Sequence, residues 1–203
     1  MKTLAFVDLH GDRKEYNSIK KKIKKEKPDF LICAGDFTIF ENEVRHLMFK
    51  LSRLDGKIFL VHGNHEEETV IKKLAKEYKN VEFIHSKIIK YKDVVLVGWG
   101  GGGFTIRDIE FEIFARSIKK ELKRYKREGK KLILVTHAPF YKTKLDTLAE
   151  EHHGNKSFTK FIKDFKVDVG ICGHFHENAG KEDVIKKCRV FNPGAVGKTI
   201  EVS

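Results

Sequence analysis

Five short apolar runs in this chain each stop at a residue able to hold a metal or a proton. They are Phe6-Val7-Asp8-Leu9-His10, Ile32-Cys33-Ala34-Gly35-Asp36, Phe59-Leu60-Val61-His62-Gly63-Asn64-His65-Glu66, Leu134-Val135-Thr136-His137 and Val169-Gly170-Ile171-Cys172-Gly173-His174-Phe175-His176. A short apolar run bounded by turn residues reads as a buried strand. Open α/β sheets bind their ligands beyond the carboxyl ends of the strands. The five loops therefore read as donors to one site. A single Asp after a strand is an ordinary turn residue, and a single His is more often surface or core. His46, His62, His85 and His152 take that reading. Five strand ends filled this way by accident is the poorer account.

The intervening segments support strands joined by helices. Tyr16, Ile19 and Ile23 recur at helical spacing before Pro28, and Val44, Leu47, Met48, Leu51 and Leu54 mark a second helix. Val70, Ile71, Leu74, Ala75 and Tyr78 mark a third. This βαβαβα opening predicts a parallel sheet with right-handed crossovers. The rhythm then changes to short strands at Val81–Ile84, Ile88–Tyr91 and Val94–Val97, with a hairpin at Lys92-Asp93. A glycine loop, Trp99–Phe104, precedes one long helix through Phe111, Phe114, Ile118, Leu122 and Tyr125. Residues 137–156 lack periodicity, and long loops of that kind are usually functional or mobile. A short helix over Phe158–Phe165, capped by Asn155 or Ser157, comes before closing strands at Val184–Lys186, Arg189–Phe191 and Thr199–Val202, around Asn192-Pro193-Gly194. The expected fold is a layered α/β sandwich of two mixed sheets flanked by helices, one sheet from the opening and the other from the late strands. No internal repeat or linker divides the chain, so residues 1–203 are expected to form one domain.

Bulk properties narrow the function classes. No apolar stretch reaches the roughly 18–20 residues of a membrane span, and Met1–Asp8 turns acidic too soon for a signal peptide; a cytoplasmic location is expected. Three cysteines without a CxxC pair argue against a disulfide framework and thiolate zinc. Cys33 and Cys172 are expected inside strands, and Cys188 nearer the surface. The net charge of +12 fits nucleic-acid binding, but also the Lys- and Glu-rich surfaces of thermophiles. The lysines are spread over helix faces and interleaved with Glu, which favours a solvated surface. Either way, such a field attracts phosphate-bearing ligands.

The loop starts supply Asp8, His10, Asp36, Asn64, His65, His137, His174 and His176. Imidazole, carboxylate and amide oxygen without thiolate suit Mn, Fe, Zn, Co or Ni. Eight donors exceed the needs of one ion and match two that share a carboxylate. Two ions about 3.5–4 Å apart form a clamp for in-line displacement at phosphorus, with hydroxide as nucleophile at neutral pH.

The series Asp8-Leu9-His10, Gly35-Asp36, Gly63-Asn64-His65-Glu66, His137 and Gly173-His174-Phe175-His176 resembles the calcineurin-like metallophosphoesterase superfamily in order, spacing and flanking strands. The resemblance implies that Asp8, His10 and His176 hold one metal, that Asn64, His137 and His174 hold another, and that Asp36 bridges them. It implies two divalent ions, Mn first among them, and a bridging hydroxide that attacks a phosphoester in line. His65 would touch the phosphoryl oxygen or protonate the leaving group, so His65 and Asp36 carry the expected catalysis. Asn64, His65, Phe104 and His153 are expected to meet the substrate, with selectivity set by Trp99–Phe104 and the loop from His137 to Ser157. Asp36 is followed by Phe37-Thr38-Ile39-Phe40, without the Arg of the protein phosphatases. The expected activity is therefore that of a small prokaryotic or archaeal phosphodiesterase on a small phosphoester. A nuclease of the same superfamily is the alternative, and a non-catalytic scaffold the more remote one.

Overall fold

The computed structural model describes residues 1–202. The opening alternates strands and helices: β1 (Lys2–Phe6), α1 (Arg13–Glu26), β2 (Phe30–Cys33), α2 (Val44–Ser52), β3 (Ile58–Leu60), α3 (Glu68–Ala75) and β4 (Val81–Phe83). The next strands are β5 (Lys87–Tyr91) and β6 (Val94–Trp99), followed by α4 (Ile109–Ser117), α5 (Lys119–Arg127) and β7 (Lys131–Thr136). After a small hairpin, β8 (Thr147–Leu148) and β9 (Glu151–His152), come α6 (Lys156–Phe165) and β10 (Val169–Ile171). A 3-10 turn at His176–Asn178 leads to β11 (Glu182–Ile185), β12 (Cys188–Phe191) and β13 (Lys198–Glu201).

Two mixed sheets carry the molecule, in the orders β13-β1-β2-β3-β4 and β11-β12-β10-β7-β6-β5. Strands β1 to β4 run parallel, as do β12, β10, β7 and β6; β13, β11 and β5 pair antiparallel at the edges. Period-two alternation sends the side chains of each strand to two different cores. Leu4 and Phe6, Leu31 and Cys33, Ile58 and Leu60 pack outward against Ile19, Met48 and Ile71 of the first three helices. Ala5, Val7, Phe30, Ile32, Phe59 and Val61 face inward against Val94, Leu96, Ile133, Val135, Val169 and Ile171 of the second sheet. Val95, Val97, Leu132 and Leu134 face outward onto Phe111, Leu122, Phe158 and Phe161 of the other three helices. The result is a helix–sheet–sheet–helix sandwich.

Several elements differ from the sequence reading. Thr199–Val202 does not join the late sheet: β13 returns to pair with β1, from Lys2↔Glu201 to Ala5↔Lys198. Likewise Val81–Phe83 extends the first sheet beside β3. The expected long helix is two, because the backbone turns at Ile118, which seats 9 % exposed in the core. The loop after His137 contains the β8–β9 hairpin, and Cys188 is buried. Asn155, not Ser157, caps α6, accepting from the Ser157 and Phe158 N–H groups. No helix among the described residues is long and apolar enough to cross a membrane.

Candidate metal centre

The parallel strands of both sheets end on one side, and their loops lock together by main-chain bonds. Asp8 N–H donates to Gly35 O (3.1 Å), His10 N–H to Asp36 O (3.0 Å) and Gly173 N–H to His137 O (2.8 Å). The loops approach too closely for side chains at two glycines. A Cβ on Gly63 would lie 1.9 Å from Asp36 Oδ1, and one on Gly173 2.2 Å from Val7 Cγ2. Asp8, His10, Asp36 and His174 take left-handed backbone, at φ of 56°, 45°, 49° and 73°. Non-glycine residues rarely adopt that region, and such strain persists where surrounding structure enforces it, commonly at functional sites.

All seven expected ligands meet here. Asp8, His10 and His176 offer donor atoms within 4.8 Å of one another, as do Asp36, His137 and His174. His10 and His176 face each other with Nε2 atoms 3.1 Å apart. His137 Nε2 lies 3.3 Å from Asp36 Oδ2 and 3.0 Å from Asn64 Oδ1. His10, Asp36 and His65 form a third group of the same compactness, so Asp36 and His10 each belong to two groups.

The hydrogen bonds on the far side of the rings decide what these atoms can do. His10 Nδ1 lies 2.9 Å from Thr38 O and His137 Nδ1 2.9 Å from Ala34 O. A carbonyl can only accept, so each Nδ1 carries a proton and each neutral ring turns its Nε2 lone pair inward. Metal-ligating histidines commonly have their other nitrogen tied in this way. His174 Nε2 is buried and has no hydrogen-bond partner. Converging ring nitrogens, two carboxylates and an orphaned imidazole nitrogen gather more acceptor positions at one point than the surrounding N–H groups fill. These residues fit divalent cations.

Electrostatics point the same way. Burial would push Asp36 up, but the hydrogen bond and charge of His137 prevail and hold it at about 2. Burial would lower His137, yet its bond to Asp36 and the charges of Asp36 and Asp8 lift it to about 9. Without metal, one proton on His137 thus occupies the position a cation would fill. Burial raises Asp8, opposed by the charge of His137 and reinforced by that of Asp36. His174 is held neutral, its value lowered to about 4 by burial and by the charge of His137.

Three supporting residues escaped the sequence reading. Glu66 is 6 % exposed, and it accepts from the N–H groups of Asp36 (2.9 Å), Thr38 (2.8 Å) and Gly63 (2.8 Å) and from Thr38 Oγ1 (2.9 Å). It binds the second and third loops together. Asp146, fully buried, accepts from the N–H groups of Lys142, Thr143 and Gly154 and pairs with His152 Nδ1 at 2.7 Å, which orders the long loop. Asn192 donates to Phe175 O (3.2 Å) and accepts from Gly194 N–H (3.0 Å). The turn after β12 thereby holds the loop bearing His174 and His176. Glu66 sits inside a quoted motif, but these three residues face backbone rather than the centre, and their spacing carries no mark of that.

The rim contains most of the expected substrate contacts. Asn64 is exposed and His65 half-buried at the centre. Phe104, 62 % exposed, packs edge-on to His174 at 5.1 Å between ring centroids and lies 6.5 Å from His153. Trp99 does not reach the mouth: it is core, and its indole N–H donates to Asp108 at the cap of α4 (2.8 Å). Behind the glycine loop, buried His62 and half-buried His85 meet edge-on at 4.7 Å, and burial lowers His62 to about 3. His46 is on the surface. None of these three joins the donor groups.

Comparisons with known proteins agree with this geometry. The family model described as calcineurin-like phosphoesterase matches residues 1–178. An uncharacterised protein of Methanocaldococcus jannaschii, MJ1162, is 30% identical over 185 residues, covering 88% of this chain and 81% of its own. Among solved structures, TT1561 of Thermus thermophilus superposes with a TM-score of 0.77 at 13% identity, covering 100% of this chain and 99% of its own. A dimetal phosphatase from Danio rerio does so with 0.68 at 10% identity, covering 97% and 88%.

Proposed function

The chain belongs to the calcineurin-like phosphoesterase family, and from that premise we propose that it is a dinuclear metal-dependent phosphodiesterase acting on a small phosphoester. Members of the family are metal-dependent phosphoesterases. Asp8, His10 and His176 would hold one ion, Asn64, His137 and His174 the other, and Asp36 both. Two divalent ions there supply a nucleophile from water at neutral pH and offset charge on the phosphoryl oxygens.

His65 takes a different part, and the observation is the reversed polarity of its ring. Phe40 N–H donates to His65 Nδ1 (3.3 Å), so in the neutral ring Nε2 bears the proton. That Nε2 is 3.9 Å from Asp36 Oδ2. His10 and His137, tied by Nδ1 to carbonyls, would turn Nε2 lone pairs to the centre once metal displaces the His137 proton, whereas His65 presents N–H. It is suited to donate to a phosphoryl oxygen and to pass its proton to the departing alkoxide.

The preference for a diester rests on charge. A monoester dianion favours a bidentate guanidinium, but the segment Phe37–Glu43 after the bridging Asp36 contains no Lys or Arg and two Glu. The contrast between inward lone pairs at His10 and His137 and the inward N–H at His65 carries the whole reading. The test is hydrolysis of bis(p-nitrophenyl) phosphate and p-nitrophenyl phosphate after exhaustive chelation and after return of Mn, Co, Ni, Zn or Mg. Loss on chelation, recovery with Mn or a similar ion and faster turnover of the diester are expected. Activity that survives complete metal removal overturns the reading.

A further inference from the structure

Phe40 is held in an unfavourable state twice over. Its ring is 76 % exposed. Its backbone is left-handed at φ 46°, and its neighbour Glu41 and nearby Glu43 share that region at 59° and 51°. For a bulky residue such a conformation is a genuine outlier. The segment cannot relax, because it is stapled to the third loop: Glu41 N–H donates to His65 O (3.1 Å), and Glu41 Oε1 accepts from Glu67 N–H (2.7 Å). One face of the Phe40 ring lies on His65, at 4.3 Å between centroids and tilted by 37°. His65 in turn lies 4.9 Å from the His10 ring. The aromatic surface thus begins where the donor cluster ends, and much of it is open to solvent.

From this juxtaposition we infer that Phe40 is a specificity-determining residue that stacks on a planar aromatic group of the substrate, a nucleobase being its natural form. The inference rests on the phosphoesterase reading above and narrows its substrate class. His65 faces the leaving oxygen in that reading, so the group stacked on Phe40 is the one attached to that oxygen. Phe104 lies beside His174, where it would meet the other ester arm. Planar rings gain from stacking whatever their hydrogen-bonding pattern, so one exposed Phe selects for aromaticity rather than for a particular base. An aliphatic alcohol on the same phosphate would leave the Phe40 face wet.

Adenosine 5′-monophosphate and ribose 5-phosphate differ only by the base and provide the test. Their affinities for the metal-loaded protein are measured by calorimetry, with metal content determined in parallel, for the unaltered chain, Phe40→Leu, Phe40→Trp and Phe104→Leu. Base stacking on an aromatic side chain is worth ~10- to 100-fold in affinity. The unaltered chain should favour the nucleotide by that factor. In Phe40→Leu the preference should collapse, with ribose 5-phosphate affinity and metal content unchanged, and Phe40→Trp should restore it. Turnover of a dinucleotide should show the same loss in KM rather than kcat. Equal affinity for both ligands in the unaltered chain overturns the inference. So does a preference that survives Phe40→Leu, or one lost only in Phe104→Leu. Failure of both ligands to bind, with no hydrolysis of bis(p-nitrophenyl) phosphate, instead removes the phosphoesterase reading and this inference with it.

Discussion

The proton on His65 is assigned by a single main-chain N–H, and its consequence can be measured. With Nδ1 accepting from Phe40, Nε2–H is available to a leaving group. General-acid help is typically worth ~10²–10⁴-fold. His65→Gln should therefore lower turnover by about that factor for a poor leaving group, with both metals retained, and by much less for nitrophenolate, which needs little protonation. Metal loss in step with activity would make His65 a ligand, as its compact grouping with His10 and Asp36 permits geometrically. Asp36 offers the complementary case. Its carboxylate groups with His137 and His174 on one side and with His10 on the other, so if it serves both ions Asp36→Asn should weaken them together and lower the metal content at both positions. A variant that keeps two tight ions and near-normal turnover would remove Asp36 from the bridge.

Loops, more than strands, determine whether these donors converge. Gly63→Ala tests this directly: the new Cβ would overlap Asp36 Oδ1 at 1.9 Å, so the carboxylate must leave its position. Metal content should fall as in Asp36→Asn, and the far-ultraviolet circular dichroism should remain that of the folded chain; normal metal content would show that the third loop can yield. The strand ends were legible in the sequence because each apolar run of buried residues stops at a polar donor, as at Ile32–Asp36. Helices α1 to α3 were legible from spacing, and α1 indeed ends before Pro28, with Lys27 in left-handed backbone as its cap. What stayed hidden was long-range. Nothing local in Lys198–Glu201 says that it crosses back to β1, since an alternating edge strand suits either sheet. The break at Ile118 was invisible because helical spacing of the apolar residues continues through it. Trp99 was misplaced at the mouth because its aromatic character fits a rim as well as a core, and only its bond to Asp108 distinguishes them. Glu66 and Asn192 act on backbone groups far away in sequence, and Asp146 on groups of its own loop; such partners exist only once the chain has folded.

At the scale of the whole molecule, the centre joins the two sheets. Asp8, His10, Asp36 and Asn64 come from loops of one, and His137, His174 and His176 from loops of the other. Cations bound there stabilise the folded chain by mass action, by ~2.7 kcal/mol when free metal is one-hundredfold above its dissociation constant. In a chain of this length each kcal/mol moves Tm by roughly 2–4 °C, so chelation should lower Tm by ~5–10 °C, and Asp36→Asn should show little further drop. The size of that gap should depend on pH, with a definite sign. Burial disfavours charge on His137, but Asp36 and Asp8 raise it from an ordinary 6.5 to about 9. In the metal-free chain its stabilising proton is fully present below about 6.5 and is lost as pH rises through about 9. Asp36, held at about 2 against an ordinary 3.8, contributes stability above its ordinary value that is lost only as pH falls through about 2. Between neutral pH and about 9, therefore, the metal-free form weakens while Asp36 is unchanged. Metal binding must expel the His137 proton, so affinity climbs over the same interval. The difference in Tm with and without chelator should widen from about pH 6.5 to about pH 9. A gap of constant size across that range would show that no proton competes with metal at His137.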